Sequence, residues 1–161
     1  MTITIKYKRF FMFESFSMTD EYKNLIYTAR KRPISSSTKI YLFDKDDTEV
    51  AFIKQKALSI FPEFLIEIND KVICTVKKTI STIDDELYIN ELDWYVSRKA
   101  INTVFGMNSG SFYVSHKGNP VMEIRRINKP PIGSITFDID VFNDDIILCL
   151  CVALTLTKEY V

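Results

Sequence analysis

Apolar and polar positions alternate with a period of two along most of the chain. Ile3, Ile5 and Tyr7 fall on one side of the first segment, and Thr2, Thr4 and Lys6 on the other, which predicts a strand. Phe10 to Phe13 either prolongs it or starts another, and Ser15 to Glu21 reads as a polar turn. Leu25 to Ala29 is a short strand that runs into Arg30, Lys31 and Arg32, and Pro33 with the serines that follow reads as a loop. A weak repeat then appears: an apolar run, a tight polar turn and a second apolar run that ends on basic residues. Ile40 to Phe43, Asp44 to Asp47 and Val50 to Ile53 form the first copy, ending on Lys54 and Lys56. Phe64 to Ile68, Asn69-Asp70 and Val72 to Val76 form the second, ending on Lys77 and Lys78. Phe112 to Val114, Lys117-Gly118-Asn119-Pro120 and Val121 to Ile124 form the third, ending on Arg125 and Arg126. Asn, Asp and Gly at the turns supply the dihedrals that hairpins require. Leu87 to Ile89, Trp94 to Val96 and Ser134 to Asp140 read as further strands, with a short helix over Asp84 to Asp93 the less favoured alternative. Arg98 to Ser109 is ambiguous and reads as a longer loop. Ten to twelve strands in this length predict an all-β barrel or sandwich.

One segment stands apart. Asn143, Asp144 and Asp145 precede an apolar run from Ile146 to Leu156, closed by Thr157 and Lys158. The run is too short for the roughly 20 residues that cross a bilayer as a helix, so it reads as a buried core element. Leu148, Leu150, Val152, Leu154 and Leu156 alternate with smaller residues, as in a strand. Asn143 suits a helix N-cap, the two aspartates suit the positive end of a helix dipole and Lys158 the negative end. Local signals leave strand and helix equally open. A helix apolar on every side has to be enclosed on every side.

The chain has 161 residues, a length for one domain spanning 1–161, and its 47% hydrophobic content excludes general disorder. Lys plus Arg and Asp plus Glu number 21 each, so no net field draws it to nucleic acid, and electrostatic recognition has to be local. Cys74, Cys149 and Cys151 lie in apolar segments without metal or redox spacing, which fits small core residues of a reduced, cytoplasmic protein. Phe10 to Phe13 is too short for a signal-peptide core, and no transmembrane segment is expected.

Candidate chemistry is sparse. His116 is the lone histidine and sits beside a predicted turn, which argues against a triad or a multi-histidine metal site. The four glycines form no phosphate loop. Asp44, Asp46, Asp47 and Glu49 lack the spacing of a calcium loop and read as a solvated turn, as do Asp84, Asp85 and Glu86. No catalytic residue, metal site or cofactor is expected. The basic strand ends remain: Lys54, Lys56, Lys77, Lys78, Arg125, Arg126 and Lys129, with Arg30, Lys31 and Arg32 as additional members, fall at equivalent points of successive hairpins. A barrel can bring several to one rim, where they bind anionic lipid head groups or simply blunt strand ends.

The repeat, with Phe64-Leu65-Ile66-Glu67-Ile68, the tract Val72 to Lys78, Glu91-Leu92-Asp93-Trp94 and the apolar C-terminus, resembles the LURP-one-related family of the tubby-like and phospholipid-scramblase-like superfamily. The resemblance implies a closed barrel of about twelve mostly antiparallel strands around one hydrophobic C-terminal helix at about 144–157. Glu91 stands where that family commonly has glycine, and Ile127 to Pro131 replaces an often-seen tryptophan. Tubby-like relatives bind phosphoinositides and scramblase-like relatives act at membranes, an analogy at the level of fold alone. The expected function is a non-enzymatic binding or adaptor module, peripheral at anionic membranes through the basic residues. The alternative is a protein-interaction or oligomerisation module that docks a partner through aromatics among Tyr7, Phe10, Phe11 and Phe13, and an enzyme ranks third.

Overall fold

A computed structural model describes residues 1–10, 13–31, 37–57, 61–77, 87–102, 108–128 and 134–157. The period-two pattern becomes twelve strands: β1 (Thr2–Phe10), β2 (Phe13–Thr19), β3 (Leu25–Lys31), β4 (Lys39–Asp44), β5 (Glu49–Gln55) and β6 (Glu63–Ile68), then β7 (Lys71–Lys77), β8 (Leu87–Ile89), β9 (Trp94–Asn102), β10 (Asn108–His116), β11 (Asn119–Asn128) and β12 (Ser134–Val141). They form one antiparallel sheet in the order β7-β6-β5-β4-β3-β2-β1-β12-β11-β10-β9-β8. The first strand therefore zips to the last, from Thr2 opposite Asp140 to Lys8 opposite Ser134. The sheet curls into a nearly closed barrel whose seam lies between β7 and β8.

All three copies of the repeat are hairpins, β4–β5, β6–β7 and β10–β11. Asn69 and Asp70 both take positive φ (52° and 59°), as do Lys117 and Gly118 (51° and 83°), which is the geometry that matches a hairpin's turn to its strand twist. Asp44 holds the β4–β5 turn by accepting the Asp46 and Thr48 amides on one carboxylate oxygen. The expected turn at Ser15 to Glu21 is instead mostly strand: Phe16 and Met18 of β2 are buried while serines alternate outward, and the turn starts only at Asp20. The ambiguous stretch from Arg98 shrinks in the same way. Strand β9 runs to Asn102 and β10 starts at Asn108, because their pairing continues from Trp94–His116 out to Asn102–Asn108. Only 103–107 between them lies outside the described residues. One 3-10 turn, Asn90–Leu92, separates β8 from β9, and Asp84 to Glu86 lie outside the described residues.

The segment that the sequence left between strand and helix is the helix α1 (Ile146–Thr157). Its cap is Asp145, whose carboxylate accepts the Leu148 amide at 3.0 Å, whereas Asn143, the expected cap, accepts the Asp145 amide and turns the chain into the helix. Every residue from Leu148 to Thr157 is buried. Thr155 and Thr157 satisfy their hydroxyls on the helix's own carbonyls, of Val152 and Ala153, so no polar atom of these side chains faces the apolar lumen alone. The inward rows of the strands close on α1: Ile3 and Ile5, Phe16 and Met18, Ile40 and Leu42, Ile53, Ile66, Ile124, and Phe137 with Ile139.

Cys74, Cys149 and Cys151 are free and buried. Burial foremost, and then the carboxylates of Glu91 and Asp145 respectively, push the thiols of Cys74 and Cys149 up to about 12, and burial pushes Cys151 higher still. At pH 8 only about one thiol in ten thousand would be thiolate. Ellman's reagent should therefore leave all three unmodified in the native protein at pH 8 and titrate all three in guanidinium chloride; a thiol that reacts natively within minutes contradicts this burial.

The seam carries a specific closure. The backbone amide of Thr75 on β7 donates to Glu91 Oε1 at 3.2 Å, so Glu91 supplies an acceptor where the β7–β8 ladder is missing. Glu91→Ala should cost about 1 kcal/mol and speed amide exchange at Thr75 while sparing the β1–β12 amides. Unchanged exchange at Thr75 would show that Glu91 does not hold the seam.

Candidate functional site

Strand direction sorts the charges. With every pairing antiparallel, β1, β3, β5, β7, β9 and β11 run one way and the even strands the other. The C-terminal ends of the odd strands and the N-terminal ends of the even ones therefore meet at one rim. Among the described residues, that rim receives Lys8 and Arg9 of β1, Lys31 of β3, Lys39 of β4, Lys54 and Lys56 at the end of β5, and Lys77 of β7, against Glu14 and Glu63. The opposite rim receives Asp20 and Glu21, Asp44, Asp46 and Asp47, Asp70, Glu91 and Asp93, and Asp144 and Asp145, against Lys23, Lys45, Lys71 and Lys117. The described residues are thus polarised along the barrel axis, although the chain has no net charge. The helix enters from the acidic end, which puts its positive dipole end among aspartates.

The cations crowd together on the outer face of β4 to β7. Ile40, Leu42, Ala51 and Ile53 point inward, so Lys39 and Lys54, which face each other in the register, both point outward. Like charges directly opposite each other are unfavourable, and neither lysine has an ion-pair partner among the described residues. One step nearer the rim, Lys56 donates to Glu63 Oε1 at 2.5 Å and Lys77 Nζ lies 3.9 Å from the same oxygen. Glu63 is the inner member, its side chain 14% exposed against 48% for Lys56 and 64% for Lys77. The hydrogen bond from Lys56 leads the effects that hold the Glu63 carboxyl below its ordinary range, against some desolvation. Lys56 and Lys77 thus share the Glu63 carboxylate, and Lys39 and Lys54 lie one step further along the wall.

The other sequence candidates go elsewhere. Arg125 lies on the outer wall, where it donates to Asp140 at 2.5 Å and lies 3.4 Å from Glu123, and Asp140 also accepts from Thr2. Arg126, one residue on, falls opposite the inward Phe137 and is half-buried. Arg30 reaches back along the wall toward the acidic end, and Lys31 pairs with Glu14 at 2.8 Å. Lys78, Lys129 and Arg32 lie outside the described residues. Lys39, unmarked in the sequence, joins the patch; counting the β4–β5 register outward from the turn would have found it.

His116 ends β10 and sits 3.5 Å from Asp93, which also accepts from Tyr88 and neighbours Lys117 at 3.6 Å, a surface link between two turns. Of the aromatics offered for partner docking, Tyr7 is buried against Phe16 and Phe13 is exposed; Phe10 ends β1, and Phe11 lies outside the described residues. Phe13, Phe61 and Ile127 place exposed apolar side chains near the basic rim. No helix among the described residues is long and apolar enough to cross a membrane.

Because the folded Glu63 carboxyl titrates below its unfolded value of about 4.3, its pairing stabilises the fold above that pH and is lost as pH falls through the folded value. Glu63→Gln should lower the urea midpoint at pH 7 and match the parent protein near pH 3. A gap that persists unchanged at pH 3 would assign the effect to something other than this ion pair.

A family model described as LURP-one-related matches residues 1–157 of the chain. Comparison with curated proteins and with solved structures found no match.

Proposed function

The chain belongs to the LURP-one-related family, in general one of non-enzymatic, tubby-like domains, and we propose that it is a binding module that docks reversibly, by its basic rim, on anionic phospholipid head groups at the cytoplasmic face of a membrane. The observation that carries this reading is the convergence of Lys39, Lys54, Lys56 and Lys77 on one outer patch, where Glu63 pairs with Lys56 and Lys77 and neither Lys39 nor Lys54 has an ion-pair partner among the described residues. A phosphate or carboxylate head group relieves the repulsion between Lys39 and Lys54 without any rearrangement of the backbone. Each lysine near an anionic surface contributes about 1 kcal/mol, so the patch suits weak, salt-sensitive attachment. Polarisation sets the orientation, since the acidic rim is repelled by the surface that attracts the basic one. Lys78 and Lys129 follow β7 and β11 in sequence and are proposed as further members of the rim, and Arg126 as a member at its inner edge. Arg125 holds the wall and is not needed for the attachment.

Sedimentation with phosphatidylcholine vesicles of rising phosphatidylserine content tests this. The protein should bind in proportion to anionic content at low salt and release at physiological salt. Replacing Lys54, Lys56 and Lys77 together by Gln should lower the partition coefficient about 100-fold. Glu63→Gln should raise it severalfold. No binding by the intact protein at low salt, or an unchanged partition for the triple variant, would overturn the reading.

A further inference from the structure

On the same strands, toward the acidic end, the outer face carries a groove of about 500 Å³ lined by Tyr41, Glu49, Val50, Phe52, Glu67 and Asp70. The register sets Tyr41, Phe52 and Glu67 abreast on β4, β5 and β6, and the two rings meet at 4.9 Å between centroids. We propose that this groove takes an arginine side chain presented by a partner protein.

Three features point to that chemistry. Glu49, Glu67 and Asp70 have no hydrogen-bond or ion-pair partner among the described residues, so the groove holds three uncompensated carboxylates beside an aromatic floor. Next to it the chain already shows such a combination filled: the Arg30 guanidinium lies 4.8 Å from the centroid of the Phe43 ring and pairs with Asp47 at 2.6 Å. Phe43 and Tyr41 are alternate outward residues of β4, so the two arrangements are neighbours on one surface. A guanidinium suits both floor and rim, because its face stacks on a ring while its edge donates to carboxylates. Lysine offers a point charge without the flat face. A choline head group would satisfy the rings, but it brings a phosphate that the three carboxylates repel. The site is distinct from the lysine patch in position and opposite to it in charge.

The test is fluorescence anisotropy of the full chain with a labelled, capped Gly-Arg-Gly-Arg-Gly peptide and its citrulline counterpart, which keeps the shape and removes the charge. The arginine peptide should bind at least tenfold more tightly than the citrulline peptide. Glu67→Gln with Asp70→Asn, both on the surface, should weaken it about tenfold at an unchanged melting temperature, and Phe52→Leu should weaken it severalfold. The Lys54, Lys56 and Lys77 triple variant should keep the arginine binding while losing vesicle binding, which separates the two sites. Equal affinity for the citrulline peptide, or no effect of the carboxylate variants, would overturn the proposal. So would concentration-dependent dimerisation of the chain, or binding to pure phosphatidylcholine vesicles, that the carboxylate variants abolish, since the occupant would then be a second copy or a lipid.

Discussion

A helix with no polar face can exist in water only inside something, and this requirement shapes the rest of the molecule. Leu148 to Thr157 is buried on every side, so the sheet has to curl round α1 rather than lie against it. Twelve strands close with a lumen wide enough for a helix about 10 Å across. The polar atoms of the helix then have to be settled without water, which accounts for Asp145 at the first turn and for threonines that bond back to their own helix. The thiols of Cys149 and Cys151 fit the same lumen as small apolar groups.

Closure in an antiparallel meander has a second consequence. Alternating direction sends the ends of all odd strands to one rim, so a modest tendency to finish odd strands on lysine becomes a patch. Aspartates chosen for the tight turns at the other ends become an acidic rim by the same geometry. Net charge is blind to this. A composition of 21 acidic and 21 basic residues excludes a uniform field, yet it permits two ends of opposite sign.

How much of this was readable in advance depended on whether the signal was local. The three hairpins were legible because turn residues and alternating runs sit next to each other in the chain. Strand β2 was not, because its two inward residues, Phe16 and Met18, are outnumbered by the polar Glu14, Ser15, Ser17 and Thr19, and only pairing with β1 and β3 makes it a strand. The form of α1 was undecidable from its own residues, since a helix apolar all round and a buried strand look alike; resemblance to a family resolved it. For the site, the sequence grouped Arg125 with Arg126, although a period of two sends adjacent residues to opposite faces. It passed over Lys39, whose place depends on the register across a turn. Glu91 was marked as a departure, but its role at the seam requires knowing that β7 and β8 lack a ladder.

The filled lumen also decides where this protein can act. Barrels of comparable size that leave the interior empty can bind small molecules within it, but here α1 takes that space, and the inward rows from Ile3 to Val141 are committed to packing against it. Recognition is left to the rims and the outer faces, where binding depends on charge pattern more than on enclosure. On β4 to β6 that pattern changes sign within one step along the strands, from Lys39 and Lys54 to Tyr41, Phe52 and Glu67. The two proposed sites would therefore lie side by side on one wall. A barrel that carried both proposed sites would tether a cationic partner to an anionic surface, a task that needs no reaction and no internal cavity.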